Sequence, residues 1–127
     1  MRLHWIVGGL GLIAFVLQGQ YLAHVVGPLE ELADGQRMLY RSGHIYLMLA
    51  SVLNLAMVRM AIPAGGWPRR LFQISSVIVL VAPIVLIAGF FIEPVSGSFD
   101  RPISRAILYL IFGIGVVWAV MAPRQRD

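Results

Sequence analysis

Cysteine and lysine are both missing from this chain of 127 residues, and charged residues make up only 13% of it. Without cysteine the chain can form neither a disulfide bond nor a thiolate metal site. Soluble globular domains carry about 25% charged residues, so the low charge content argues against that class. The basic residues, all arginine, are scattered at the ends of apolar segments. Nucleic-acid binding needs a basic stripe, so we expect no nucleic-acid partner despite a pI near 10.4.

Several catalytic signatures are also absent. The sequence contains no phosphate-binding loop, no dinucleotide fingerprint, no HExxH and no nucleophile elbow. No carboxylate lies in the middle of an apolar segment, which argues against a proton-coupled exporter that relies on an intramembrane glutamate. No nucleophile and base are arranged for catalysis. The sequence therefore favours a protein that is not an enzyme.

The residues that are present are mostly apolar, with 59% hydrophobic residues and a mean hydropathy of +0.83. Four apolar segments have about the 20 residues that a membrane-spanning helix needs. The strand-type alternation of a barrel is lacking, so we predict an all-α membrane protein. It forms a single domain over residues 1–127, an up-down-up-down bundle of four transmembrane helices. The predicted spans are residues 5–26, 43–62, 71–92 and 104–122.

Two details of this topology follow from the segment ends. The first span has an alternative interpretation as a signal peptide, but the run is long and lacks a clear A-x-A cleavage site. Arginines are more numerous on the side of the termini than on the opposite side, which places both termini in the cytoplasm. The expected location is the inner membrane of a bacterium. The loop of residues 28–42 reads either as a short amphipathic surface helix or as an extension of the second span.

Several polar side chains lie inside the first two predicted spans. Gln18 and Tyr21 share a stripe with small residues of the first span, and Ser51 and Asn54 lie in the second. Hydrogen-bonding groups in a bilayer find their partners on neighbouring helices. We therefore predict that Gln18, Tyr21, Ser51 and Asn54 make polar contacts between helices.

Ionisable side chains cluster near the outer ends of all four predicted spans. Such groups are costly in a membrane unless they are paired or hydrated, so they form a candidate site at the outer face. Its members are His24, Arg41, His44, Glu93 and Arg105. We expect Arg105 to pair with Glu93 or Asp100, and Arg41 to pair with Glu30, Glu31 or Asp34. Arginines that snorkel to lipid headgroups are the alternative.

Three functions fit these residues. The first is a non-enzymatic accessory subunit of a larger membrane complex, or a bundle that self-associates as a homo-oligomer in the lipid bilayer. The second is a haem b or metal-ion site, because His24 and His44 occupy similar depths on adjacent spans and Glu93 offers a third group. The third is binding or transport of a lipid or small solute at the outer face.

Overall fold

The computed structural model describes residues 1–96 and 100–121, and 87% of these residues are helical. No strand occurs within these two ranges, which confirms the all-α class. Four α-helices account for most of the structure: α1 (Arg2–Tyr21), α2 (Asp34–Met57), α3 (Gly66–Ile92) and α4 (Pro102–Met121). The last predicted span ends at residue 122, which lies outside the described residues. Arg124 and Arg126, two of the arginines on the side of the termini, also lie outside them.

Three of the helical stretches are long and apolar enough to cross a membrane. They are Arg2–Val26, Gly66–Val95 and Pro102–Val120, and they correspond to the first, third and fourth predicted spans. Helix α2 is not one of them. It starts in the polar segment at Asp34 and ends at Met57, before the predicted end of the second span at Ile62.

The segment before the second predicted span does not form a separate amphipathic helix. Only Leu29–Glu31 adopts a short 3₁₀ turn, and α2 then runs unbroken from Asp34. The carboxylate of Asp34 lies in the first turn, where it stabilises the helix N-terminus, and it pairs with Arg37. The hydroxyl of Ser42 donates to the carbonyl of Leu39 in the preceding turn. Ser42 therefore lies within α2 and not at the start of a helix.

Consecutive helices pack against one another, and α1 also touches α3. The approach of α1 to α2 depends on glycine: a Cβ atom added to Gly8 would lie 2.8 Å from the side chain of Leu55. Gly11 lies against the side chain of Ser51 in the same way. Further along, the core shared by α2, α3 and α4 consists of Ala50, Ala82, Leu86 and Ile107.

Helix α1 does not stop at Tyr21 but widens into a π-helical turn over Leu22–Val26. The turn ends at Gly27, whose φ of 80° is readily adopted only by glycine, and Pro28 follows. Isolated π-helical turns are rare, and they occur frequently at functional sites.

Candidate functional site

One end of the molecule contains a buried polar network centred on Asn54. Its amide nitrogen donates to the carbonyl of Ala50, at 3.0 Å, and to that of Val79 on α3, at 2.6 Å. Its amide oxygen lies 2.8 Å from Nδ1 of His4 on α1. One side chain therefore joins three helices, in the manner expected of a polar group inside a bilayer.

Both ring nitrogens of His4 have hydrogen-bond partners. Because the amide oxygen of Asn54 only accepts, Nδ1 of His4 carries a proton and donates to it. The other ring nitrogen, Nε2, lies 2.7 Å from the hydroxyl oxygen of Ser76. The buried ring is thus hydrogen-bonded to α2 and α3.

The sequence prediction does not include His4, because this residue precedes the first predicted span. Depth along the predicted spans does not reveal the contact either, because Asn54 lies near the centre of the predicted second span, residues 43–62. In the structure α2 ends at Met57, so Asn54 lies near the end of α2, level with His4 near the start of α1.

The other three residues predicted to make polar contacts between helices, Ser51, Tyr21 and Gln18, differ in their hydrogen bonds and packing. Ser51 donates to the carbonyl of Leu47 in its own helix, at 2.7 Å, and the ring of Tyr21 packs edge-on against Phe91. Gln18 is buried, and neither its amide nitrogen nor its amide oxygen has a hydrogen-bond partner in the structure. It lines a cavity of about 340 Å³ between α1 and α3.

At the opposite end of the molecule, Glu93 is buried against the start of α4. Its carboxylate accepts from the backbone N–H of Ser104 at 2.9 Å and from the hydroxyl of Ser104 at 2.6 Å. Arg105 pairs with Asp100 at 3.0 Å, one of its two expected partners. The carboxylate of Glu93 therefore accepts hydrogen bonds from the first turn of α4.

The two histidines of the haem or metal hypothesis have different neighbours. His24 is exposed and its Nε2 lies 3.1 Å from the side-chain oxygen of Gln20. The ring of His44 stacks on Phe15, with centroids 4.0 Å apart and an interplanar angle of 15°. Over residues 1–96 and 100–121, no group of three or more His, Asp or Glu side chains is placed to hold a metal ion. These contacts do not favour a metal shared by His24 and His44.

Arg41 and His44 do share a cavity, which we call the Arg41 cavity. It has a volume of about 550 Å³ and lies where the end of α1 and its π-helical turn meet the start of α2. Its wall consists of Gly19, Leu22, Ala23, Gly27, Leu29, Glu30, Arg41, His44 and Ile45. A Cβ atom on Gly19 would lie 3.4 Å from Cε1 of His44, so the glycine lets α1 approach the ring closely.

The charged groups of the Arg41 cavity are not neutralised by the protein. Arg41 forms no ion pair or hydrogen bond with any described residue, so the expected pairing with Glu30, Glu31 or Asp34 is wrong. Asp34 pairs instead with Arg37, which lies one turn closer on the same helix. The Nδ1 atom of His44 is buried and likewise has no partner in the structure.

Of the five predicted site residues, the structure brings together Arg41 and His44. His24, Glu93 and Arg105 each have a different local partner. The sequence prediction also leaves out the π-helical turn, which forms one wall of the Arg41 cavity. No family model, curated protein or solved structure matches this chain.

Proposed function

We propose that this protein is a non-enzymatic integral membrane protein that binds an anionic group in the Arg41 cavity. The observation that carries the proposal is Arg41 itself. Arg41 lines a cavity of about 550 Å³, and its guanidinium has no ion-pair partner in the described part of the chain. A cation beside an open cavity is available to a ligand, whereas Arg37 and Arg105 are already paired.

The chemistry of the wall suits an amphipathic ligand. A guanidinium offers parallel N–H donors that match a phosphate or carboxylate, and the ring of His44 adds a second polar group. Leu22, Leu29 and Ile45 contribute apolar surface on the same wall. Small-molecule sites typically have volumes of about 300–1,000 Å³ and combine apolar lining with a few polar groups.

We also propose that α2 crosses the membrane, which completes an up-down-up-down bundle of four spans. Two contacts support opposite directions for successive helices. His4, near the start of α1, meets Asn54, near the end of α2, and Ser75, near the start of α3, accepts from the indole N–H of Trp118, near the end of α4, at 3.1 Å. Helix α2 lies between α1 and α3, and a helix buried in a bundle tolerates polar residues better than a lipid-facing one.

In this topology both termini lie on one side of the membrane. The arginine bias places them in the cytoplasm, and the inner membrane of a bacterium is the proposed location. The Arg41 cavity then lies at the outer face, at the depth of the lipid headgroups. Anionic groups are abundant at that depth, and an arginine needs no further partner to reach them.

The binding proposal is tested in nanodiscs that contain phosphatidylglycerol and phosphatidylcholine. Lipid retained by the protein after gentle release is counted by native mass spectrometry, for the wild type and for Arg41→Gln. We expect Arg41→Gln to retain about tenfold less phosphatidylglycerol, the effect of losing one charge-assisted hydrogen bond. Arg59→Gln is the matched control, because Arg59 is exposed and lies just beyond the other end of α2. Equal retention by Arg41→Gln and the wild type would contradict the proposal.

A second candidate function, self-association or docking in a larger membrane complex, is favoured by α4. Only 11% of the most apolar 18-residue stretch of α4 is buried, and 73% of the surface of Phe112 is exposed. Cβ atoms added to Gly113 and Gly115 would meet nothing within 4 Å. Lipid and a second helix both cover such a face, so the decisive measurement is the mass of the protein after extraction in mild detergent. A strictly monomeric, partnerless species would rule out association.

A further inference from the structure

The Arg41 cavity carries a negative charge as well as a positive one. Glu30 lies on its wall, in the 3₁₀ turn Leu29–Glu31, opposite in sign to Arg41 on α2. We infer that the ligand of this cavity is a zwitterion, with its anionic group on Arg41 and an ammonium group on Glu30. This inference rests on the proposed binding of an anionic group by Arg41.

The argument starts from the fact that these two charges do not neutralise each other. Arg41 and Glu30 form no ion pair together or with any other described residue, although both line the same cavity. Nearby charges behave differently, because Asp34 pairs with Arg37 and Asp100 pairs with Arg105. Two opposite charges that share a cavity without pairing are complementary to a molecule that carries both signs.

The charged and apolar residues of the wall together indicate the chemical class of the ligand. A phosphate group fits the guanidinium of Arg41, and a primary ammonium donates N–H groups to the carboxylate of Glu30. The apolar side chains of Leu22, Leu29 and Ile45 suit a hydrocarbon chain that leaves the cavity towards the bilayer. Phosphoethanolamine combines these two charges. It comes either from the headgroup of phosphatidylethanolamine or from a soluble phosphoethanolamine.

Glu31 provides a matched control for Glu30. It is the next residue in the same 3₁₀ turn and is also exposed, but it does not line the Arg41 cavity. Glu30→Gln and Glu31→Gln therefore make the same change of charge on neighbouring residues. Because both side chains are exposed, neither substitution removes a buried contact.

The experiment uses nanodiscs with equal amounts of dioleoyl phosphatidylethanolamine, phosphatidylglycerol and phosphatidylcholine, and native mass spectrometry of the lipid that each variant retains. We expect the wild type and Glu31→Gln to retain phosphatidylethanolamine preferentially. We expect Glu30→Gln to shift the ratio towards phosphatidylglycerol by about tenfold, because the ammonium loses its charged acceptor. Equal retention of phosphatidylethanolamine and phosphatidylcholine by the wild type, together with no saturable binding of soluble phosphoethanolamine, would overturn the inference, since choline has no N–H donor.

The outcomes separate this inference from the proposed function. If Arg41→Gln retains as much of every lipid as the wild type, anion binding by Arg41 fails and the zwitterion fails with it. If Arg41→Gln loses lipid but Glu30→Gln keeps the wild-type ratio, only the zwitterion fails. Calorimetric titration of the detergent-purified protein with phosphoethanolamine identifies the source. Saturable binding there, without lipid preference in nanodiscs, assigns the site to the soluble zwitterion.

Discussion

Asn54 compensates for a proline on a neighbouring helix. Pro83 lies inside α3 and has no N–H, so it cannot donate to the carbonyl of Val79 one turn earlier. The amide nitrogen of Asn54 donates to that same carbonyl at 2.6 Å. Because an unsatisfied carbonyl in a bilayer is costly, this bond accounts for a proline within a helix that is otherwise uninterrupted.

A double-mutant cycle tests this coupling. We expect Asn54→Leu to lower the free energy of unfolding by about 2 kcal/mol, because His4 and Val79 lose their partner. In a Pro83→Ala background the cost is smaller, since residue 83 then supplies the missing donor. The measurement is reversible unfolding in bicelles, with Gln73→Leu as an exposed amide control on α3. An equal cost in both backgrounds would show that Asn54 and Pro83 act independently.

Unlike Asn54, Gln18 has a buried amide whose two polar atoms have no hydrogen-bond partner in the structure. Methionine has nearly the same shape and no hydrogen-bonding requirement. We expect Gln18→Met to raise the free energy of unfolding by about 1 kcal/mol, because a desolvated polar group is removed. Gln20→Met, on the exposed side of the same helix, should leave stability nearly unchanged. A loss of stability in Gln18→Met would mean that the amide makes a favourable interaction in the membrane.

Among the elements, the contact between α1 and α2 is set by the glycines on one face of α1. Gly11 lies directly against the side chain of Ser51, whereas a Cβ atom on Gly9 would meet nothing within 4 Å. Gly11→Ala should therefore push the helices apart and cost about 1–3 kcal/mol of stability. Gly9→Ala, the matched control, should be neutral or slightly stabilising, because alanine favours the helix. Thermal unfolding of both variants in the same detergent distinguishes them, and equal effects would refute the close contact.

The four helices differ in how well the sequence alone predicts them. Apolar length identifies α1, α3 and α4 because these helices expose apolar side chains over much of their surface. Helix α2 starts at Asp34, before the predicted second span, with an ion pair between Asp34 and Arg37 in its first turn. Hydropathy does not register a polar helical turn of this kind. For a helix inside a bundle, hydropathy is therefore a weaker guide than packing.

The sequence predicts only part of the candidate site, because it gives the depth of a residue along a span but not the direction of its side chain. Depth along each span places His24, Arg41, His44, Glu93 and Arg105 in one layer, but depth says nothing about the direction of a side chain around the helix. Glu93 turns to the start of α4, and His24 turns to Gln20. The π-helical turn that borders the Arg41 cavity has no signal in the sequence beyond Gly27 and Pro28 at its end.

For the whole molecule, the proposed topology is testable because the chain has no native cysteine. Single cysteines are placed at Ala33, just before α2, and at Ala64, between α2 and α3, both of which are exposed. If α2 crosses the membrane, a membrane-impermeant maleimide added to intact cells should label Ala33→Cys but not Ala64→Cys. Labelling of both sites, or of neither, would contradict a spanning α2, and labelling of Ala64→Cys alone would reverse the orientation.

The polarity of α2 has a consequence for how the protein is made. During synthesis a translocon releases a segment into lipid according to its apolar content, and α2 is not among the three stretches that qualify alone. Its polar groups become acceptable once His4 of α1 and the carbonyl of Val79 in α3 are beside it. If α2 crosses the membrane as proposed, we therefore expect its insertion to depend on α1 and α3, so that membrane integration and folding of this helix occur together.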